Sequence, residues 1–232
     1  MEQLHNGFTL ELCPGAFPLS TDSIALADFV TLPKSATVLD LGSGCGTLGL
    51  LLCSKDQNCA VTGIELDENA HNMALHNARS NNIPLRLKSI CANASSLDGI
   101  VENGSFSCCV SNPPYYSAGP ASKKTPLARR DDALSTEDLF RSASRALRYG
   151  GDFFLVHKPE MLSHLCACGA KYKLEAKKLC LLHHKEDGPV SLILLQLRKG
   201  AKPGLIIDEK ALYHPDGTPT PYYRRLYHLE EE

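Results

Sequence analysis

A strand, a glycine-rich turn and a helix follow one another between residues 37 and 53. The apolar run Thr37–Leu41 leads into the segment Asp40–Gly46, and the apolar stretch Leu48–Cys53 comes next. Glycines allow a tight turn and let a ligand approach the backbone closely. This order is typical of the first unit of a nucleotide-binding α/β fold, although the glycines alone would equally fit a plain strand-to-helix turn. Thr47 stands where a dinucleotide fingerprint needs its third glycine, which weighs against NAD.

The next elements continue the same pattern of alternating strands and helices. Cys59–Ile64 reads as a strand that ends at Glu65, the position from which an acidic residue binds a ribose diol in such folds. Asp67 is expected to cap a helix that runs to about Ser80. A further strand, Leu85–Ile90, leads towards Asn93.

Residues 112–115, Asn-Pro-Pro-Tyr, form a segment that we call the clamp. The two prolines fix φ near −65° and remove two backbone donors, so the local carbonyls are available as acceptors. The preceding run Phe106–Ser111 predicts a buried strand, which puts the clamp at a carboxyl end, where open α/β sheets bind ligands. Two acceptors beside an aromatic ring suit a flat amino group.

The remaining chain predicts a single domain of the Rossmann-like α/β class, with a mostly parallel sheet and a C-terminal antiparallel hairpin. Thr21 or Asp22 is expected to cap a helix over Ser23–Val30, and Gly150 with Gly151 to end a helix that begins at residues 135–138. The predicted later strands are Asp152–His157, Leu174–Leu182 and Val190–Leu197. We expect an N-terminal segment (1–36) that covers a cofactor, a catalytic core (37–199) and a tail (200–232).

Residues 20 to 200 resemble the class I S-adenosylmethionine-dependent methyltransferases. The glycine segment and Glu65 look like that family's cofactor motifs, and the clamp is similar to the motif of enzymes that methylate planar amino groups. Leu19–Ala27 and Ala128-Arg129-Arg130 further resemble the bacterial tRNA1(Val) adenine-N6 methyltransferases.

The resemblance implies S-adenosylmethionine as cofactor and two sets of site residues. Asp22 is equally well read as a plain helix cap, and Asn93 stands near where family members usually carry an acidic residue. The implied cofactor-binding residues are Asp22, Asp40, Gly42, Gly44, Gly46, Glu65, Asn93 and Asn112. The implied catalytic residues are Asn112, Pro113, Pro114 and Tyr115.

The charge distribution favours an anionic partner for the second half of the chain. Residues 1–110 carry 5 Lys and Arg against 11 Asp and Glu, whereas residues 111–232 carry 19 against 15. Basic side chains near the clamp are therefore candidates for contacts with RNA phosphates. These candidates are Lys123, Lys124, Arg129 and Arg130. A second set, Lys171, Lys173, Lys177 and Lys178, reads more simply as solvated surface lysines.

Other classes of protein fit the sequence poorly. No apolar run is long enough to span a bilayer, and the amino terminus lacks a signal-peptide pattern, so we expect a cytoplasmic protein without a membrane partner. The 10 cysteines lie largely in apolar segments, as small buried hydrophobes do. Cys166 and Cys168, with the later Cys180, His183 and His184, complete no zinc-binding spacing, so no metal is expected.

The resulting hypothesis is N6-methylation of an adenine in RNA, most simply a tRNA. Guanine N2 of ribosomal RNA and the amide of a protein glutamine are alternatives, because each presents a planar amino group to the clamp. A non-catalytic RNA-binding module is a hypothesis of a different class, and the intact glycine and clamp motifs argue against it.

Overall fold

The computed structural model describes residues 1–4, 7–115 and 134–229. Its strands are Glu2–Gln3 (β1), Thr9–Leu10 (β2), Thr37–Leu41 (β3), Ala60–Glu65 (β4), Leu87–Cys91 (β5), Phe106–Ser111 (β6), Leu147–His157 (β7), Leu174–Lys185 (β8), Val190–Lys199 (β9) and Ile206–Tyr213 (β10). Its α-helices are Thr21–Phe29 (α1), Thr47–Lys55 (α2), Glu68–Ser80 (α3), Thr136–Ala146 (α4), Leu162–Lys171 (α5) and Pro221–Leu226 (α6), and a 3₁₀ turn spans Pro159–Met161.

The main sheet has eight strands in the order β10-β8-β9-β7-β6-β3-β4-β5. Strands β3 to β7 run parallel to one another, whereas β9 runs antiparallel to both β7 and β8. The predicted mostly parallel sheet with an antiparallel hairpin is therefore confirmed. Strand order reverses between β3 and β6, and ligands of open α/β sheets bind at the carboxyl ends of such a pair. The glycine segment and the clamp follow these two strands.

Both faces of the sheet are covered by helices. Val38 of β3 faces the core formed with α1 and α2, whereas Leu39 and Leu41 face the core formed with α4. This alternation follows from the opposite orientation of successive side chains in a strand. Strand β3 lies between β6 and β4 in the interior of the sheet, and its side chains from Val38 to Leu41 are buried on both faces.

Two predicted helix boundaries were wrong. Ser20, rather than Thr21 or Asp22, caps α1, since its side chain accepts a hydrogen bond from Ser23 N at 3.4 Å. Helix α4 ends at Ala146 and β7 begins at the next residue, so Gly150 and Gly151 lie within a strand. Leu147 is fully buried and pairs with β6, and this burial outweighs the local tendency of glycine to end a helix.

The segment beyond residue 200 contributes to the sheet rather than forming only a tail. Strand β10 pairs in parallel with β8, and helix α6 packs against it. The rings of Tyr213, Tyr223 and Tyr227 stack in sequence, with centroid distances of 4.9 and 4.5 Å. The Tyr227 hydroxyl lies 2.8 Å from Thr21 Oγ1, so the C-terminal helix supports α1. None of the helices in the described residues is long and apolar enough to cross a bilayer.

Candidate active site

The glycine turn lies at the carboxyl end of β3 and leads into α2. Gly42 and Gly44 have φ values of 74° and 54°, in the left-handed region that favours glycine. The amides of Gly42 and Ser43 both donate to the carbonyl of Ile64 in β4, at 3.0 and 3.1 Å. A Cβ atom at Gly42 or Gly44 would meet nothing within 4 Å. The outer side of the turn backbone is therefore open to a ligand.

Glu65, at the end of β4, fixes the turn from the side of the neighbouring strand. Its Oε2 accepts a hydrogen bond from Gly44 N at 2.7 Å, and its Oε1 accepts one from Asp67 N at 2.8 Å. Asp67 caps α3 as predicted, accepting from Ala70 N. A carboxylate oxygen can accept two hydrogen bonds, so each oxygen of Glu65 can still accept from a hydroxyl group.

Asp40 and Ser43 are buried beside the turn without hydrogen-bond partners among the described residues. Asp40 is 1% exposed, and neither of its carboxylate oxygens nor Ser43 Oγ is paired. Burial, and secondarily the charge of Glu65, raises the pKa of Asp40 to about 8. Unpaired buried polar groups are rare in proteins and often mark functional sites. Together with the open glycine turn, these groups fit a polar cofactor that would supply the missing hydrogen bonds.

The clamp follows β6 directly, next to the glycine turn. Asn112 Nδ2 donates to Ser23 Oγ of α1 at 3.0 Å, which orients the side-chain amide. Its Oδ1 therefore faces the other way, as an acceptor, and lies 3.3 Å from the Tyr115 hydroxyl. Pro113 is half-buried and Pro114 is exposed. The arrangement presents the Asn112 oxygen beside a backbone segment that two prolines make rigid.

Tyr115 connects the clamp to helix α1 and to the carboxyl end of β7. Its hydroxyl donates to Asp22 Oδ2 at 2.6 Å, and burial, followed by this bond and the charge of Asp22, raises its pKa well above the usual value. The Tyr115 ring lies 5.2 Å from the ring of His157, and the Lys158 ammonium lies 5.2 Å from its centroid. Burial, and then the charge of Lys158, lowers the pKa of His157, so this ring is neutral at pH 7.

The structure brings most of the predicted site residues to one edge of the sheet. Asp40 lies near the end of β3, and the glycines at 42, 44 and 46 follow that strand. Glu65 is the last residue of β4, and the clamp follows β6. Asp22, on α1, contacts the clamp through Tyr115. The alternative reading of Asp22 as a helix cap was wrong, because Ser20 has that role. Asn93 lies two residues beyond β5, is exposed, and uses its side-chain oxygen to accept from Ser95 N at 2.9 Å.

The basic candidates divide into two groups. Lys123, Lys124, Arg129 and Arg130 lie outside the described residues. In the weaker set, Lys171 pairs with Glu137, and Lys173 immediately precedes β8. Strand β8 runs in the same direction as β7, so Lys171 and Lys173 lie at the edge of the sheet opposite the clamp.

Within the described residues, no group of three or more His, Cys, Asp or Glu side chains could hold a metal ion.

Several residues around the site were not identified from the sequence. Ser23 orients Asn112, and His157 with Lys158 flanks Tyr115 at the carboxyl end of β7. Gly63 was also missed: a Cβ there would lie 2.4 Å from Ser43 Oγ. A glycine within an otherwise apolar strand is a recognisable sign of close approach and could have identified Gly63. Ser23 has no local signal, since its partner Asn112 is distant in the sequence. His157 and Lys158 have none either, since they resemble ordinary residues at the end of a strand.

The chain is similar in sequence to known proteins. Residues 20–166 match the model of a family described as "Methyltransferase small domain". A protein of Photobacterium profundum, named tRNA1(Val) (adenine(37)-N6)-methyltransferase, is 26% identical over 203 residues, covering 86% of this chain and 85% of that protein. A protein of the same name from Shewanella halifaxensis is 32% identical over 165 residues, covering 70% of this chain and 65% of that protein.

Solved structures share the fold. A methyltransferase from Pyrococcus furiosus superposes with a TM-score of 0.64 at 24% identity, covering 85% of this chain and 91% of that one. A predicted O-methyltransferase from Agrobacterium tumefaciens superposes with a TM-score of 0.74 at 18% identity, covering 90% and 96% of the two chains. At these identities the likeness concerns the fold alone.

Proposed function

The chain belongs to the methyltransferase small-domain family, and from this premise we propose that it methylates N6 of an adenine in tRNA. It is an S-adenosylmethionine-dependent methyltransferase. The adenine and the tRNA are inferred from the names of the curated relatives, and a tRNA substrate implies a cytoplasmic location. The observation that carries the proposal is the orientation of the Asn112 amide by Ser23, one strand away from the glycine turn.

The residues around the glycine turn are suited to hold the cofactor. When bound, S-adenosylmethionine supplies an electrophilic methyl group on a positively charged sulfur. The remaining acceptor capacity of Glu65 suits the ribose hydroxyls, and the open backbone of Gly42 and Gly44 permits close approach. A Cβ at Gly46 would lie 3.3 Å from Ala74 Cβ, so this glycine instead lets the turn pack against α3. Asp22 provides negative character on the same side of the sheet, whereas Asp40, with its raised pKa, would be protonated at pH 7 and could donate a hydrogen bond. Asn93 is the candidate for the adenine end. Residues 1–36 would cover this pocket from above.

The clamp would position the nitrogen that receives the methyl group. The lone pair of an adenine amino group is delocalised into the ring, so the nitrogen reacts only when it is held in the right geometry. Asn112 Oδ1 and the Pro113 carbonyl would each accept one amino hydrogen and hold the nitrogen at the carboxyl end of β6. Correct positioning of reacting groups can contribute up to ~7–11 kcal/mol of the barrier.

The base would be recognised by its face and by the RNA backbone around it. Tyr115 is the candidate stacking surface, and stacking on an aromatic ring contributes ~1–3 kcal/mol per base. A base in an anticodon loop is already unpaired, which lowers the cost of extruding it into a pocket. Lys158, beside Tyr115, joins Lys123, Lys124, Arg129 and Arg130 as a candidate for phosphate contacts.

The test is methylation of tRNA isolated from cells that lack this gene. The purified protein and labelled S-adenosylmethionine should produce N6-methyladenosine, identified by nucleoside analysis. Asn112→Ala should reduce transfer by about 100-fold or more while S-adenosylhomocysteine still binds. Labelled N2-methylguanosine, or labelled glutamine in protein, would instead identify one of the alternative substrates. Cofactor binding with no transfer to any of these substrates would indicate a binding module.

A further inference from the structure

The side chain of Asn77 joins two segments that are far apart in the sequence. Asn77 lies on α3 and is 1% exposed. Its Oδ1 accepts from Glu11 N, and its Nδ2 donates to both Glu11 O and Cys45 O, each at 2.9 Å. Both hydrogens of the amide are therefore used, one on the N-terminal segment and one on the glycine turn.

Asn81, one helical turn later, binds the N-terminal segment in the same way. Its Oδ1 accepts from Thr9 N and its Nδ2 donates to Thr9 O, both at 2.7 Å. Four residues of helix rise by about 6 Å, close to the length of two residues of extended chain, so Asn77 and Asn81 match Glu11 and Thr9. The second hydrogen of the Asn81 amide goes to Asn77 O at 2.8 Å and not to the glycine turn.

Beyond the bonds of Gly42 and Ser43 to Ile64, the glycine turn is anchored at two further successive residues. Glu65 binds the amide of Gly44, and Asn77 binds the carbonyl of Cys45. Glycine loses more conformational freedom on folding than any other residue, so a turn with glycines at 42, 44 and 46 needs external bonds to keep one shape. The apparent affinity for a ligand falls with the fraction of protein in the competent conformation.

We propose that Asn77 is a positioning residue for S-adenosylmethionine, which acts by fixing the glycine turn through the Cys45 carbonyl. The proposal rests on the proposed function, because it assigns the glycine turn to the cofactor. It predicts that the N-terminal segment and the turn respond together when the cofactor site is filled, since one amide bridges Glu11 and Cys45.

The closing experiment compares Asn77→Ala with Asn81→Ala as a matched control at the C-terminal end of the same helix. Both variants lose a two-bond anchor of the N-terminal segment, but only Asn77→Ala loses the bond to the turn. Calorimetry with S-adenosylhomocysteine should give a Kd about fivefold to tenfold weaker for Asn77→Ala and within about twofold of wild type for Asn81→Ala. Amide hydrogen exchange should accelerate across residues 42–46 only in Asn77→Ala.

The proposal would be overturned if both variants were equally destabilised to heat while their affinity for S-adenosylhomocysteine and their exchange at residues 42–46 stayed at the wild-type level. Asn77 would then be a structural residue only. A measurement on the wild type covers the case in which Asn77→Ala does not fold. Added S-adenosylhomocysteine should slow exchange at Glu11 together with residues 42–46, and protection confined to the turn contradicts the bridge. A wild-type protein that binds no S-adenosylhomocysteine would instead refute the proposed function.

Discussion

The hydroxyl of Tyr115 donates to the carboxylate of Asp22 across 2.6 Å, and this bond ties the clamp to the first helix. The same helix carries Ser23, which orients the Asn112 amide. Two residues of α1 thus set the positions of the two hydrogen-bonding side chains of the clamp, Asn112 and Tyr115. The segment before the first core strand is therefore part of the candidate site.

Tyr115→Phe and Tyr115→Ala should separate the hydroxyl from the ring. Phe keeps the surface for stacking and loses a charge-assisted bond of about 1.5–3 kcal/mol, so we expect lower thermal stability with KM for tRNA raised less than about fivefold. Ala also removes the stacking surface, which should raise KM about 10-fold to 100-fold. Steady-state kinetics with thermal unfolding tests both. Equal KM values for the two variants would exclude Tyr115 as the stacking surface.

Gly63→Ala should disturb the glycine turn from the neighbouring strand. The new Cβ would lie 2.4 Å from Ser43 Oγ and 2.7 Å from Ser43 Cβ, so one of the two backbones must move. Overpacking of this kind costs about 1–3 kcal/mol. We expect lower thermal stability and weaker binding of S-adenosylhomocysteine by calorimetry. Ser43→Gly in the same chain removes the clash and should restore much of the loss, and a double variant no better than Gly63→Ala contradicts the contact.

The parallel core was predictable because its signals are local. Thr37–Leu41 and Phe106–Ser111 are short apolar runs beside a glycine or proline segment, and both form the predicted strands. The contacts that orient the site were not predictable, because they join residues distant in the chain. Ser23 and Asn112 are 89 residues apart, and Asn77 and Cys45 are 32 apart. Ser23 and Asn77 are ordinary polar residues on their helices, and only the topology brings them to Asn112 and to the Cys45 carbonyl.

Asp40→Asn should change how stability depends on pH. Burial is the main reason that the pKa of Asp40 is raised from 3.8 to about 8 in the native state. Between about pH 4 and pH 8 the native state therefore holds a proton that the unfolded chain has released. Stability of the ligand-free protein should therefore fall as pH rises from about 4 to 8. Asn, which carries no charge, should raise the thermal midpoint at pH 8 and have less effect at pH 5. Asp187→Asn, at an exposed position, is the control, and equal midpoints for wild type and Asp40→Asn at pH 8 would contradict the burial argument.

Lys158→Ala should weaken RNA binding without affecting the cofactor. Lys158 is exposed at the carboxyl end of β7, and its ammonium lies 5.2 Å from the centroid of the Tyr115 ring, where the backbone of an RNA bound at the clamp would pass. Loss of one phosphate contact should lower affinity for tRNA and reduce the salt dependence of binding by about one unit in the logarithmic slope. Filter binding between 50 and 200 mM salt, a range of about fourfold, measures both quantities.

The control is Lys34→Ala. Lys34 is exposed and precedes β3 at the opposite edge of the sheet, so this variant should leave affinity and slope unchanged. Identical salt slopes for Lys158→Ala and wild type would place the phosphate backbone away from β7 and leave residues 123–130 as the candidate contact.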